Sequence, residues 1–177
     1  RFIRLPFLLT TSLPHEILHN WWGNGVFVDY SEGNWSEGLT AYLADHREAE
    51  KRLNADDYRL KALSRYSSFA AGDNDMPLSR FVYRHNESSQ AIGYSKALML
   101  FHMIRQLIGD DQFYQQLSLF WKNYRFKKAS FSQLLDYLLA PLDLDKQAFI
   151  KQWLYQKGAP VIRIADIKTL TKDNKQI

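Results

Sequence analysis

Apolar positions recur at three- and four-residue spacing along most of this chain, the pattern of helices that each bury one face. Trp35 to about Asn54 reads as one helix. Asp56 to Ala71 reads as another, with Tyr58, Leu60, Leu63, Tyr66 and Phe69 as its apolar positions. Gly72-Asp73-Asn74-Asp75-Met76-Pro77 breaks the pattern, and the polar, arginine-bearing stretch Leu78 to Gln90 reads as a loop where a substrate-facing surface could form. Ala91 to Ile108 has a nearly continuous apolar middle from Ala97 to Phe101, as expected of a central buried helix. Gly109 ends it, and Asp110 is placed to cap the next helix, Asp111 to Tyr124. Ser130 is placed to cap Phe131 to Leu139, which Pro141 closes. A last helix is expected from about Asp145 to Lys157, stopped by Gly158 and Pro160. Val161 to Ala165 alternates like a strand. The fold class is therefore mainly α. The expected organisation is a helical unit over residues 1–158 and, over 159–177, the start of a following β segment or domain.

Composition narrows the class. At 177 residues, with 46% hydrophobic and 15% aromatic content, the chain can bury a substantial core and is not of disordered type. The net charge of +4 is spread along the sequence, and the cluster Arg125, Lys127, Lys128 reads as a solvated helix end. No nucleic-acid-binding pattern stands out, so no nucleic-acid partner is expected. The absence of cysteine excludes disulfides and thiolate ligands and leaves the compartment open. Phe2 to Leu9 is apolar but far too short to span a bilayer, so no transmembrane segment is expected. With Arg1 first and no leader pattern, the sequence reads as a stretch of a longer protein.

The candidate chemistry lies near the start. His15-Glu16-Ile17-Leu18-His19 is an HExxH pattern. On a helix, residues four apart share a face, so both imidazoles can reach one metal ion while Glu16 sits beside it as a base for a coordinated water. Thr11 and Ser12 are capping types, Pro14 suits a first turn, and Gly23 and Gly25 are placed to end the helix. A zinc hydrolase needs a third protein ligand. Glu37 opens the next helical segment, where a carboxylate is also favoured by the helix dipole. His46, nine residues after Glu37, faces away from a metal at the helix start. His46, His85 and His102 are therefore read as structural or solvated, with His102 able to make a core hydrogen bond.

These residues, from His15 to Asn24 and from Trp35 to Tyr42, resemble the M1 family of zinc aminopeptidases, gluzincins that share the thermolysin-like catalytic domain. Gly93-Tyr94-Ser95-Lys96-Ala97 resembles the family's Tyr-x-Lys-Gly box, and Trp153 to Val161 resembles the segment that closes its helical domain. Ser36 stands where the family usually has Asn, Ala97 where it has Gly, and seventeen residues separate His19 from Glu37 where eighteen are usual. The turn composition of Val26 to Asn34 locates that shortening in a loop. The resemblance implies the helical half of a thermolysin-like metallopeptidase domain. It implies one zinc ion held by His15, His19 and Glu37, with Glu16 as general base and Tyr94 as hydrogen-bond donor to the oxyanion. It also implies peptide substrates, cleavage at the N-terminal peptide bond, and upstream and downstream domains of the same protein. The family's loop that grips the free amino terminus lies upstream of HExxH and has no counterpart here. A non-catalytic module used for binding or assembly is the alternative that the three departures leave open.

Overall fold

Helix α6 (Ala97–Ile108) anchors the core: Ala97, Leu98, Leu100, Phe101 and Ile104 are buried, while Met99, His102 and Met103 on its other side are half-buried. The computed structural model describes residues 8–70, 72–159, 171–172 and 175–176. In chain order, α1 (Leu13–Leu18) leads into two short strands, β1 (Trp22–Gly23) and β2 (Val26–Val28). Then follow α2 (Trp35–Ala41), α3 (Arg47–Lys51), α4 (Ala55–Phe69), α5 (Glu87–Gln90), α6 and α7 (Asp110–Tyr124). Strand β3 (Lys128–Ala129) precedes α8 (Phe131–Leu138) and α9 (Lys146–Ile150). The architecture is mainly α. The three short strands form a small parallel sheet in the order β1-β2-β3, a feature that residue periodicity does not reveal because each is two or three residues long. Thr171–Lys172 pairs antiparallel with Lys175–Gln176. The expected strand Val161 to Ala165 and its preceding Pro160 lie outside the described residues.

The helices are less regular than the sequence pattern implies. Four π turns occur among the described residues, at Leu8–Ser12, Tyr42–His46, Ala91–Lys96 and Lys151–Tyr155. Each continues directly into, or out of, an α-helix. Thus Trp35 to Lys51 is one rod with a π turn in its middle, and α5 to α6 is another. The first π turn corrects the expected start of α1. Thr11 and Ser12 lie inside the helical path, and Ser12 has helical backbone angles and makes no side-chain cap. Pro14 has no N–H to donate back along the chain, and a widened turn just before it accommodates that loss. Asp110 is likewise no cap. It begins α7 itself, with Gly109 before it at positive φ, and its carboxylate pairs with Arg105. The helix expected from Ala91 begins earlier, at Glu87, where Asn86 and Ser89 form a reciprocal cap. Ser130 does cap α8, in a reciprocal pair with Gln133.

Aromatic residues join the sheet to the helices. Trp35 is fully buried, donates from Nε1 to the Ala129 carbonyl at 2.8 Å, and meets Trp22 and Phe120 edge-on. That bond ties the start of α2 to β3. At the far end, buried Lys96 donates to the Gln156 carbonyl at 3.2 Å, so the turn after α9 is held to the turn that carries Tyr94.

Candidate metal centre

Asn34 sets the position of Glu37. Its side-chain oxygen accepts from the Ser36 N–H at 3.0 Å, starting α2, while its amide donates to the Val82 carbonyl at 3.0 Å. Glu37 therefore stands in the first turn of a helix whose N-terminus is anchored, and it faces α1. Opposite it, His15 and His19 project from α1 and its end. His15 Nε2 lies 3.5 Å from Glu37 Oε2, and His19 Nε2 lies 3.7 Å from the same oxygen. Among the described residues these three form the one group of His and acidic side chains whose ligand atoms all fall within 4.8 Å of one another. Ligands at about 2.0–2.2 Å around a tetrahedral cation are separated by about 3.4 Å, so the spacing suits a small cation at their centre.

Each histidine is turned by a bond at its other nitrogen. His19 Nδ1 meets the Trp22 carbonyl at 2.9 Å, a partner supplied by β1. His15 Nδ1 meets Asp45 Oδ2 at 3.3 Å, a partner supplied by the π turn after α2. Both Nε2 atoms are thereby left to point at Glu37. Burial alone would lower the His15 pKa, but the carboxylates of Asp45 and Glu37 raise it to about 9. His19 is raised by its contact with Glu37 against the opposing effect of burial. Glu37 is desolvated, yet His15, His19 and Tyr94 hold its pKa well below the usual carboxylate range. The cluster thus draws positive charge to its centre.

The three groups open onto a cavity of about 990 Å³, which Glu16 and Tyr94 also line. Glu16 is exposed to it from α1. Tyr94 stands on the π turn before α6, its ring stacked 6.4 Å from that of His15 and edge-on to Phe81. Burial, then the nearby Glu37 charge, raises its pKa and keeps the phenol a donor. Tyr83 and Arg84, in the stretch read as a loop, reach the cavity too, as do Lys61 and Arg65 from α4. The structure thus brings all five expected site residues together. It leaves His46, His85 and His102 outside: His46 is buried against Tyr42, His102 is hydrogen-bonded to the Tyr42 hydroxyl at 3.1 Å, and His85 is exposed. Sequence reasoning missed Asp45, which stands eight residues after Glu37, about 80° round a regular α-helix.

The model of the peptidase family M1 domain matches residues 9–153, most of the chain. The chain belongs to peptidase family M1. Among relatives of this M1 chain, aminopeptidase 2, mitochondrial, of Saccharomyces cerevisiae is 26% identical over 159 residues, which is 86% of the chain and 17% of the relative. Human aminopeptidase N is 26% identical over 179 residues, 88% of the chain and 18% of the relative. The fold is that of solved M1 structures. It matches an M1 zinc metallopeptidase from Deinococcus radiodurans with a TM-score of 0.65 at 23% identity, covering 83% of the chain and 33% of that structure. Yeast LTA4 hydrolase matches with a TM-score of 0.62 at 21% identity, covering 86% and 27%. The M1 chain thus spans about a fifth of the length of the curated relatives it matches. No helix among its described residues is long and apolar enough to cross a membrane.

Proposed function

We propose that this chain carries the metal-bearing helical half of a zinc-dependent aminopeptidase catalytic domain. His15, His19 and Glu37 are the zinc ligands, Glu16 the general base and Tyr94 the oxyanion donor. The observation that carries the reading is the convergence of His15 Nε2, His19 Nε2 and Glu37 Oε2 on a cavity that Glu16 and Tyr94 also line. Membership of family M1 supports a metallopeptidase, and the aminopeptidase names of the relatives support the finer reading. In this reading residues 1–158 form the helical unit and 159–177 begin a following β segment. Other parts of a longer protein complete the site for peptide substrates.

Zinc, when bound, supplies the Lewis acidity that makes water a competent nucleophile near neutral pH and polarises the scissile carbonyl. The chain's own groups do the rest. Glu16 takes a proton from the attacking water and delivers it to the departing amine as the C–N bond breaks. Tyr94 donates a hydrogen bond to the carbonyl oxygen as it gains negative charge, an interaction stronger in the transition state than in the ground state. His15 and His19 keep their Nε2 lone pairs aimed inward because their Nδ1 atoms are occupied.

Metal analysis of the full-length protein after zinc exposure and dialysis tests the ligand set. We expect about one zinc per site, lost in His19→Ala; zinc retained by that variant would refute the assignment. Glu16→Gln separates binding from chemistry. It should keep its zinc and lose roughly 10²–10⁴-fold in kcat on peptide substrates. Unchanged turnover would remove Glu16 from the mechanism, and zinc without turnover in the parent would favour the non-catalytic module.

A further inference from the structure

Two cations are buried among the described residues, Arg105 and Lys96. Arg105 is met by Glu50 and Asp110. Lys96 has no ion pair among those residues. Its Nζ makes one hydrogen bond, to the Gln156 carbonyl at 3.2 Å, and lies 6.0 Å from the centre of the Tyr66 ring. An ammonium held out of water with so few partners costs stability, which packing between apolar elements would not demand. Burial lowers its pKa, and the charge of Asp75 opposes that fall.

Asp75 is the other half of the same node. It is buried, and its Oδ2 accepts from the Tyr66 hydroxyl at 3.2 Å and from the Gly158 N–H. Its Oδ1 has no hydrogen-bond partner among the described residues. Lys96 and Asp75 thus join α4, the break at 72–77, the turn before α6 and the chain that leaves the last π turn at Gln156 and Gly158. The node lies behind Tyr94. Both Tyr94 and Lys96 belong to the π turn Ala91–Lys96, a local widening of the helix. Residues two apart on a helical path do not share a face, and Tyr94 lines the cavity while Lys96 does not. Tyr94 packs in front against Phe81 and beside His15, and Lys96 ties the turn down from the back.

We propose that Lys96 is a positioning residue for Tyr94: tied to Gln156 and drawn by the Asp75 charge, it fixes the π turn so that the phenol hydroxyl stands where the oxyanion develops. The inference rests on the role given to Tyr94 above. Lys96 touches neither substrate nor the reacting atoms. An apolar side chain of similar length would fill its space yet leave the turn free to shift. A hydrogen-bond donor displaced by about 1 Å loses much of its effect on the transition state.

The test is a double-mutant cycle in the full-length, zinc-loaded protein, using the fastest substrate from a set of X-Ala-Ala tripeptides. It reads kcat, KM, zinc content and the thermal midpoint. Lys96→Met should lower kcat about 10- to 100-fold, with KM and zinc content as in the parent. Tyr94→Phe should lower kcat further. In the Tyr94→Phe background, Lys96→Met should cost less than about threefold, because no hydroxyl is left to place. Asp75→Asn keeps an acceptor for Tyr66 and Gly158 but not the charge. It should lose a smaller factor, again only when the Tyr94 hydroxyl is present, and it replaces Lys96→Met in the cycle if that variant does not fold. Lys122→Met, exposed on α7, should leave every reading unchanged. A merely structural Lys96 would lower the thermal midpoint and leave kcat per zinc-loaded site intact, or lower kcat equally with and without the Tyr94 hydroxyl. Either result would overturn the proposal. A parent without turnover, or a fully active Tyr94→Phe, would overturn this inference and the role of Tyr94 together. An impaired Tyr94→Phe beside a parent-like Lys96→Met would overturn this inference alone.

Discussion

Two histidines and a glutamate meet on each side of the rod formed by Trp35 to Lys51, and the two groups have opposite characters. On the cavity side are His15, His19 and Glu37. On the inner side, His46 Nδ1 lies 3.8 Å from Glu50, and the His102 ring lies tilted against that of His46 at 5.3 Å. The inner group already contains its cations. Arg105 donates to Glu50 at 2.8 Å and to the Tyr42 hydroxyl at 3.3 Å, and forks onto Asp110 at 2.9 and 2.8 Å. Arg59 donates to His46 Nε2 at 2.8 Å. The consequence is visible in the imidazoles. Burial, then the surrounding cations and His102, lower His46 to about 4 despite Glu50, and burial with Arg59 and Arg105 lowers His102. The carboxylates of the cavity side instead raise His15 and His19. A His-Glu cluster is suited to a metal when no resident guanidinium occupies the centre and a cavity opens onto it. Residue types alone do not distinguish the two sides.

The strongest way to break this contrast is to remove the resident cation. Arg105→Met leaves Glu50 with only the half-exposed Arg47 and should destabilise the fold by about 3 kcal/mol, at the lower end for a broken buried pair because Arg47 still pairs with Glu50 and Asp110 is largely exposed. Chemical denaturation measures it, and zinc content of the folded fraction should stay that of the parent. Loss of zinc with the stability would mean the two sides are not independent.

A smaller effect is expected where the site's two supporting rods touch. A Cβ at Gly38 would collide with the Ala97 Cβ and sit 2.9 Å from the Gly93 carbonyl, so Gly38→Ala must push α2 from the turn that carries Tyr94. The overpacking should cost about 2 kcal/mol, and turnover should fall more than zinc affinity, because Glu37 and Tyr94 separate while the two histidines stay on α1. Equal loss of both would place the damage on the ligands instead.

The smallest effect sharpens the inner side. Folded His46 stays neutral down to about pH 4, whereas an unfolded histidine protonates near pH 6.5. Unfolding therefore takes up a proton between those values. The stability from burying neutral His46 is complete above pH 6.5 and is lost as the pH falls toward 4. The groups facing it are Glu50, His102, Arg59, Arg105, Tyr42 and Tyr58. His46→Gln should flatten the fall in urea midpoint between pH 6.5 and 5; the lowered His102 keeps a slope of the same sign, and the raised His15 and His19 a slope of the opposite sign. An unchanged slope would assign the titration elsewhere.

Much of this molecule was readable from residue order. The four-residue spacing of His15 and His19, the apolar run of α6 and the Ser130 cap depend on neighbours within a turn or two, and local geometry is enough to interpret them. Glu37 was legible as the acid that opens the next helical segment after HExxH, and Tyr94 because its short motif carries a family resemblance. What stayed hidden depends on long-range packing. The three-stranded sheet is made of pieces too short to show a period, and its third strand comes from a hundred residues downstream of the second. Asp110 looked like a cap until Arg105 claimed it. Asp45 went unread because a π turn, which helix spacing does not announce, changes which residues share a face. Spacing along the chain decides what one helix presents; which residues complete its site is decided only when separate elements pack.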